Sequence, residues 1–321
     1  MRSRLVMILA VVLAAAAVAV SVTRLARSSP QHPAAVHASL APTLASYLGV
    51  FEPGAPPGYG AVSQFAQATG RQPNLVGYYS GWAEPFDTSF AEMIHEHGVI
   101  PFVQIDPTDA SVAAIAAGTY DDYLSSYADS VRDFGHAVVI GFGHEMNASW
   151  YSWGYGRVPA STFVAAWRHI WTVFRQEGAD NVTWLWTVQA DESGTGPVAS
   201  WWPGAKYVKW VGIDGYYTRA SDTFASVFGK TINQVRTFTD APVLLSETAV
   251  GPAADQFVKI PNLFQGMSNY NTLGLVWFDK DLQGDGTGID FQDWRIEDSL
   301  EARIAFKLGA HQYLTPNPPT G

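Results

Sequence analysis

The sequence predicts an α/β fold, a (β/α)8 TIM barrel, on three observations. The chain has 321 residues, 47% of them hydrophobic, enough to bury the single large core that a barrel of about 250 residues needs. Eight short apolar runs alternate with amphipathic stretches. Two of those runs carry a glutamate just beyond their apolar residues, Glu145 and Glu247, and their spacing equals three repeats of about 34 residues. Such a barrel carries its reactive side chains at the C-terminal ends of its strands.

The runs are "YLGVF" at 47, "LVGYYS" at 75, "VIPFVQID" at 99, "VVIGFGHE" at 138, "VTWLWTV" at 182, "VKWVGIDGYY" at 208, "VLLSETAV" at 243 and "LGLVWFDKD" at 273. Each has the length and the β-branched and aromatic content of a buried strand. Between them, "SFAEMIHEHG", "DDYLSSYADSVRDFG", "STFVAAWRHIWTVFRQEG" and "TINQVRTFTD" place apolar residues three and four apart, the period of a helix with one buried face. An open doubly wound sheet is the competing arrangement. It lacks support here, because "GYGAVSQFAQATG" does not have the glycine spacing of a dinucleotide-binding turn.

The first 27 residues fall outside the barrel. "MRSR" followed by the 18-residue run "LVMILAVVLAAAAVAVSV" is a basic segment leading an apolar one, which predicts a signal peptide or a membrane anchor. Ala17-Val18-Ala19 offers a cleavage site, while Arg24 and Arg27 favour retention. Residues 28–46, rich in Pro, Ala and Ser, read as a flexible linker, 47–310 as the catalytic barrel and 311–321 as a tail. The expected location is therefore extracellular, either secreted or anchored to the outer face of the cytoplasmic membrane. Without cysteine there is no disulfide framework, no thiol nucleophile and no acylated lipoprotein cysteine.

Charge narrows the partners. The 19 basic residues include Arg2, Arg4, Arg24 and Arg27, so the rest of the chain carries 15 against 29 acids, a net charge near −14. Nucleic acid, which demands a basic surface, is excluded as a partner, and anionic polymers are disfavoured. Neutral polysaccharides are not. The 12 Trp supply flat apolar faces of the kind on which sugars stack.

Two carboxyl groups at one barrel mouth are what glycoside cleavage requires, because the leaving oxygen takes a proton while the sugar carbon becomes electron-poor. Glu145 is flanked by His144 and by Met146, Trp150 and Trp153, a setting that disfavours its charge and suits a general acid. Glu247 lies between Ser246 and Thr248, with the phenols of Tyr216 or Tyr217 in reach from the sixth run, and suits a nucleophile. The rings near Glu145 serve twice, raising its pKa and offering a stacking surface.

"GFGHEMNASWYSWGYG" together with "LLSETAVGP" resembles glycoside hydrolase family 26, whose members are mostly retaining endo-β-1,4-mannanases. The resemblance implies Glu145 as acid/base, Glu247 as nucleophile, His144 as the histidine preceding the acid, and Trp150 as the cleft Trp five residues beyond it. It implies Tyr216, with Tyr217 as the fallback, as the phenol bonded to the nucleophile, and Trp277 as the floor of the central sugar subsite. Asp106, in "IPFVQIDP", stands where the family more usually has Glu, and "DWRI" at 293–296 is also similar to it. Asn147 and Trp82 complete the substrate-binding candidates. The implied partner is a neutral β-linked polysaccharide, mannan first, acted on by a monomer without cofactor or metal.

Gly141, Phe142 and Gly143 replace the basic segment common ahead of the His-Glu pair, and Ala148 replaces a Gly. The pair is untouched, but the sugar contacts differ, so β-glucanase or xylanase activity stands as an alternative, and a non-catalytic carbohydrate-binding barrel as another. His95 and His97 lack the spacing of a helical zinc pair and read as a helix end. "DKDLQGDGTGID", from Asp279 to Asp290, has a glycine at its sixth position and an acid at its twelfth. It reads as a polar cleft loop, with a calcium loop as the weaker reading. "LLSET" lacks the glycines of a serine nucleophile elbow.

Overall fold

A computed structural model describes residues 40–251, 255–281, 293–315 and 319. The apolar segment and most of the linker expected at the N-terminus, and most of the 279–290 loop, lie outside the described residues.

Eight parallel strands close in sequence order into one barrel. The first half runs β1 (Tyr47–Phe51), α1 (Gly60–Thr69), β2 (Leu75–Gly81), α2 (Thr88–Glu96), β3 (Ile100–Asp106), α3 (Val112–Ala116), α4 (Asp121–Phe134) and β4 (Val138–Phe142). The second half runs α5 (Ala160–Gln176), β5 (Val182–Gln189), β6 (Trp210–Asp214), α6 (Lys230–Val235), β7 (Val243–Thr248), α7 (Gln256–Asn269), β8 (Gly274–Phe278) and α8 (Leu300–Tyr313). Every apolar run became a strand. The β3–β4 repeat carries two helices, α3 and α4, and between β5 and β6 the chain makes only a 3₁₀ turn at Val198–Trp201. Pro197, Pro203 and Gly204 interrupt any longer helix there, and buried Trp201 takes the packing place, its ring against Phe163 of α5. Among the described residues no helix is long and apolar enough to cross a membrane.

Strand alternation sorts side chains into two layers. Tyr47, Leu75, Ile100, Phe102, Val139, Leu185, Trp210, Leu244 and Val276 point inward and fill the barrel, with Tyr47 and Trp210 meeting edge to face at 4.7 Å. Their neighbours along each strand point outward to the helices, which turn apolar faces to them, such as Phe163, Trp167, Ile170 and Phe174 on α5. Each fully buried side chain of this size contributes about 1.5–3 kcal/mol, so both layers hold the scaffold rigid. Helix starts are fixed locally, by Asp87 Oδ1 accepting from Phe90 N at 2.9 Å and by Ser299 Oγ accepting from Ala302 N at 3.1 Å.

Toward the C-terminal ends of the strands the inward layer turns polar. Gln104 Nε2 donates to Thr187 Oγ1 at 2.9 Å, and Ser246 Oγ donates to Asp214 Oδ1 at 2.5 Å. Gly141 is required in this layer, since a Cβ there would lie 1.9 Å from Gln104 Oε1. The replacement of a basic segment by glycine is thus tied to the glutamine beside it on β3.

Candidate active site

Glu145 leaves β4 through an unusual backbone path. Gly143 has φ +54°, and Glu145 itself has φ 52°, a left-handed conformation that costs a non-glycine residue about 1–2 kcal/mol. Its amide bonds Thr187 O at 3.0 Å and its carbonyl takes Ala148 N at 2.8 Å, which holds the turn and points the side chain into the cleft. Glu247 needs no such device, because it sits within β7 beside a register shift between Leu245 and Thr248.

Oxygens of Glu145, Glu247 and a third carboxyl, Asp214 at the end of β6, all lie within 4.8 Å of one another, and all three residues are buried. They form the sole grouping of three carboxylate or imidazole donors this close among the described residues. Both oxygens of Glu247 accept a hydrogen bond from a phenol. Tyr79 Oη donates to Oε1 and Tyr216 Oη to Oε2. Two phenolic donors match a carboxylate anion.

Glu145 has different surroundings. Burial, opposed by the nearby His144 charge and reinforced by Glu247, lifts its carboxyl to about 7. Trp150, 46% exposed, donates from Nε1 to Glu145 Oε2 at 2.8 Å. Met146 and Trp153 are buried beneath, the latter giving Nε1–H to His144 O at 2.9 Å. Asp214 is also raised well above the ordinary aspartate range, by burial first and then by Glu247 and Glu145. Burial and the two neighbouring carboxyls thus disfavour a third negative charge in the site.

His144 is fixed on both sides. Nδ1 meets Asp106 Oδ1 at 2.8 Å and Nε2 meets Tyr151 Oη at 3.0 Å. Burial alone would lower its pKa, but Asp106, Glu145 and Glu247 outweigh that and bring it to about 10.

Several sequence-predicted residues lie together as expected: Glu145, Glu247, His144, Asp106, Trp150 and Tyr216. Trp82 is half-buried at the rim, edge-on to Tyr120 at 5.4 Å. Three expectations need correction. Trp277 is fully buried on the helix-facing side of β8, donating Nε1–H to Trp294 O at 2.8 Å and packed on Phe306, so no sugar can lie on it. Phe278, one residue on and half-buried, faces the cleft and stacks on Phe51 at 4.4 Å and 6°. Tyr217 also points outward, its hydroxyl on Asn262 Oδ1 at 3.1 Å. Asn147 is buried with its amide spent on Gln189, donating to the carbonyl at 2.9 Å and accepting from the amide at 2.8 Å, so it braces the β4 loop.

Sequence reading missed Tyr79, Asp214, Tyr151 and Trp294, the last lying flat on Tyr216 at 4.4 Å and 6°. Parity along β2 would have found Tyr79: Leu75 and Gly77 face inward, so the second tyrosine of "GYYS" does too.

Comparison with known proteins agrees with this fold. Solved structures with the same fold include the catalytic domain of the Bacillus sp. JAMB-750 GH26 endo-β-1,4-mannanase, with TM-score 0.64 at 14% identity over 84% of this chain and 86% of that one. A GH26 β-mannanase from Bacteroides ovatus gives 0.60 at 17% over 83% and 88%. In sequence the chain is 27% identical over 271 residues to endoglucanase H of Acetivibrio thermocellus, covering 79% of this chain and 29% of that protein. It is 28% identical over 103 residues to mannan endo-1,4-β-mannosidase A and B of Caldalkalibacillus mannanilyticus, covering 30% and 20%. The chain thus spans less than a third of these relatives' own lengths. The model of glycosyl hydrolase family 26 matches residues 109–279, just over half of the chain and the stretch from α3 to β8 that holds both glutamates, and on that match the chain belongs to glycosyl hydrolase family 26.

Proposed function

We propose that this chain is an endo-acting, retaining β-glycosidase that hydrolyses β-1,4-mannosidic bonds in mannan, working outside the cytoplasm. The observation that carries the reading is the closeness of Glu145 and Glu247, whose carboxyl oxygens approach within 4.8 Å. Retaining enzymes hold their carboxyl groups about 5–5.5 Å apart, and inverting ones need about 6.5–9.5 Å to seat a water between carboxylate and sugar. Glu145, neutral below about pH 7, gives its proton to the leaving oxygen. Glu247 attacks the anomeric carbon, the glycosidic C–O bond breaks, and a glycosyl ester forms. Glu145, now anionic, takes a proton from the incoming water, whose oxygen attacks the same carbon and expels Glu247. Phe51, Phe278 and Trp150 offer the apolar faces on which a neutral pyranose ring stacks.

A second reading, a β-glucan substrate, has its own support, since the similarity to endoglucanase H runs over 79% of the chain and that to the mannosidase over 30%. Reducing-sugar release from galactomannan, glucomannan, lichenan and xylan decides among these. Preference for a mannan supports the first reading, preference for lichenan the second. Binding to these polymers without release of reducing ends would refute both and leave a carbohydrate-binding barrel. Export rests on the basic and apolar N-terminal segment, and finding the full-length protein soluble in the cytosol would refute it.

A further inference from the structure

The Asp106–His144–Tyr151 chain ends in a hydrogen-bond donor that the two glutamates do not use. With His144 brought to about 10, both ring nitrogens carry hydrogen at neutral pH. Nδ1–H goes to Asp106 Oδ1 and Nε2–H to Tyr151 Oη. Tyr151 Oη is therefore the acceptor in that contact, and its own O–H is aimed elsewhere. Among the described residues it has no second hydrogen-bond partner.

The ring carrying this hydroxyl cannot swing away. It stacks on Trp153 at 4.4 Å and 7°, and His144 closes on it at 4.8 Å and 62°. Trp153 is in turn held by its bond to His144 O. Tyr151 is half-buried, and burial, then Glu145, Glu247, Asp106 and Asp214, all oppose its ionisation. A fixed, neutral phenol thus lies within electrostatic reach of both Glu145 and Glu247.

The anomeric carbon placed between those carboxyls bonds two oxygens, and the carbon beside it carries a third, the 2-hydroxyl. The leaving oxygen is served by Glu145. The ring oxygen loses electron density as the oxocarbenium ion develops and becomes a poor acceptor. The 2-hydroxyl remains, and hydrogen bonds to it strengthen in the transition state. A phenol donating to that oxygen makes its own O–H a better donor to the Glu247 carboxylate, each bond polarising the next.

We propose that Tyr151 is a specificity-determining residue, held by Asp106 and His144 to donate its phenolic O–H to the 2-hydroxyl oxygen of the sugar lying between Glu145 and Glu247. The assignment rests on the retaining β-glycosidase reading above. The axial or equatorial placement of that hydroxyl separates mannosides from glucosides, so Tyr151 bears on the choice between them.

The test compares wild type with Tyr151→Phe on dinitrophenyl β-1,4-biosides whose reducing sugar is manno, gluco or 2-deoxy, the last being one compound for both series. On the preferred 2-hydroxy substrate the variant loses at least about tenfold in kcat/KM, the effect of one hydrogen bond, and kcat falls with it. On the 2-deoxy substrate the two enzymes turn over alike. Equal losses on both substrates, or no loss on either, would overturn the proposal. Asp106→Asn removes the charge that holds His144 as imidazolium and should give the same substrate-dependent loss, which keeps the test open if Tyr151→Phe fails to fold. The broader reading fails separately, if wild type releases neither dinitrophenolate from any bioside nor reducing ends from any polymer.

Discussion

Replacing Trp150 by Phe keeps an aromatic face in the cleft and removes one bond, the indole N–H on Glu145 Oε2 at 2.8 Å. That bond favours the carboxylate over the acid, and it is one of the influences that keep Glu145 from rising further than about 7. A hydrogen bond to a charged group contributes about 1.5–3 kcal/mol, and one pH unit corresponds to about 1.36 kcal/mol. Because the Trp150 side chain is 46% exposed, water replaces part of the loss, and the lower end of the range applies. The alkaline limb of kcat/KM, which reports the proton on Glu145 in the free enzyme, should move upward by about one unit. The measurement is a pH profile from about pH 4 to 10 on an oligosaccharide whose leaving group needs protonation. The smaller ring changes stacking, and hence KM, by the same factor across the profile, so the limb position is a separate readout. An alkaline limb that stays in place or moves to lower pH would refute the assignment of Glu145 as the acid tuned by Trp150.

Glu247→Ala should remove essentially all turnover while oligosaccharide binding, followed by calorimetry, persists. Glu145→Ala should be almost as damaging on polysaccharide but much less so on dinitrophenyl glycosides, whose leaving group needs no proton; wild-type-like rates from either variant on polymer would sink the pair. Proton NMR of the first product of a β-linked substrate should show the β-anomer, and a first-formed α-anomer would mean inversion. Asp279, 1% exposed at the end of β8, is raised to about 10, by burial first and then by Glu52 and Glu297. The folded protein keeps a proton there that the unfolded chain releases near pH 4. The associated stability is therefore complete below about pH 4 and lost as pH rises toward 10, on the order of a few kcal/mol. Asp279→Asn, which cannot ionise, should flatten the fall of the melting midpoint between pH 6 and 9, and an unchanged slope would exclude Asp279 as its source.

The strands were legible because each is short, apolar and bounded, and the closed parallel order followed from their number and spacing. The two glutamates were legible because each is the first carboxylate beyond the apolar part of its run. Asp214 was as close to the end of "VKWVGID" as Glu247 is to the end of its run, but nothing local marks a carboxyl whose charge is disfavoured. Its shift comes from burial first and then from Glu247 and Glu145, and only the folded barrel supplies all three. Tyr151 was hidden for the same reason: its partner His144 is seven residues away in sequence, but the bond that orients it depends on Asp106 of β3.

The exchange of Trp277 for Phe278 follows from strand parity. In β8, Leu275 packs toward the helices and Val276 fills the barrel, so the next residue must face out and the one after it must face in. A tryptophan at 277 is then bound to the outer layer, where its N–H secures Trp294 O. That bond helps keep Trp294 flat against Tyr216, and Tyr216 donates to Glu247. Trp277 thus affects the nucleophile from behind the strand, through two intermediate rings, and never as a surface for sugar. Its replacement by Phe should accordingly lower kcat while leaving KM and the affinity for oligosaccharide near their wild-type values. A residue that floors a subsite would give the reverse, a large rise in KM, and that outcome would return Trp277 to the cleft.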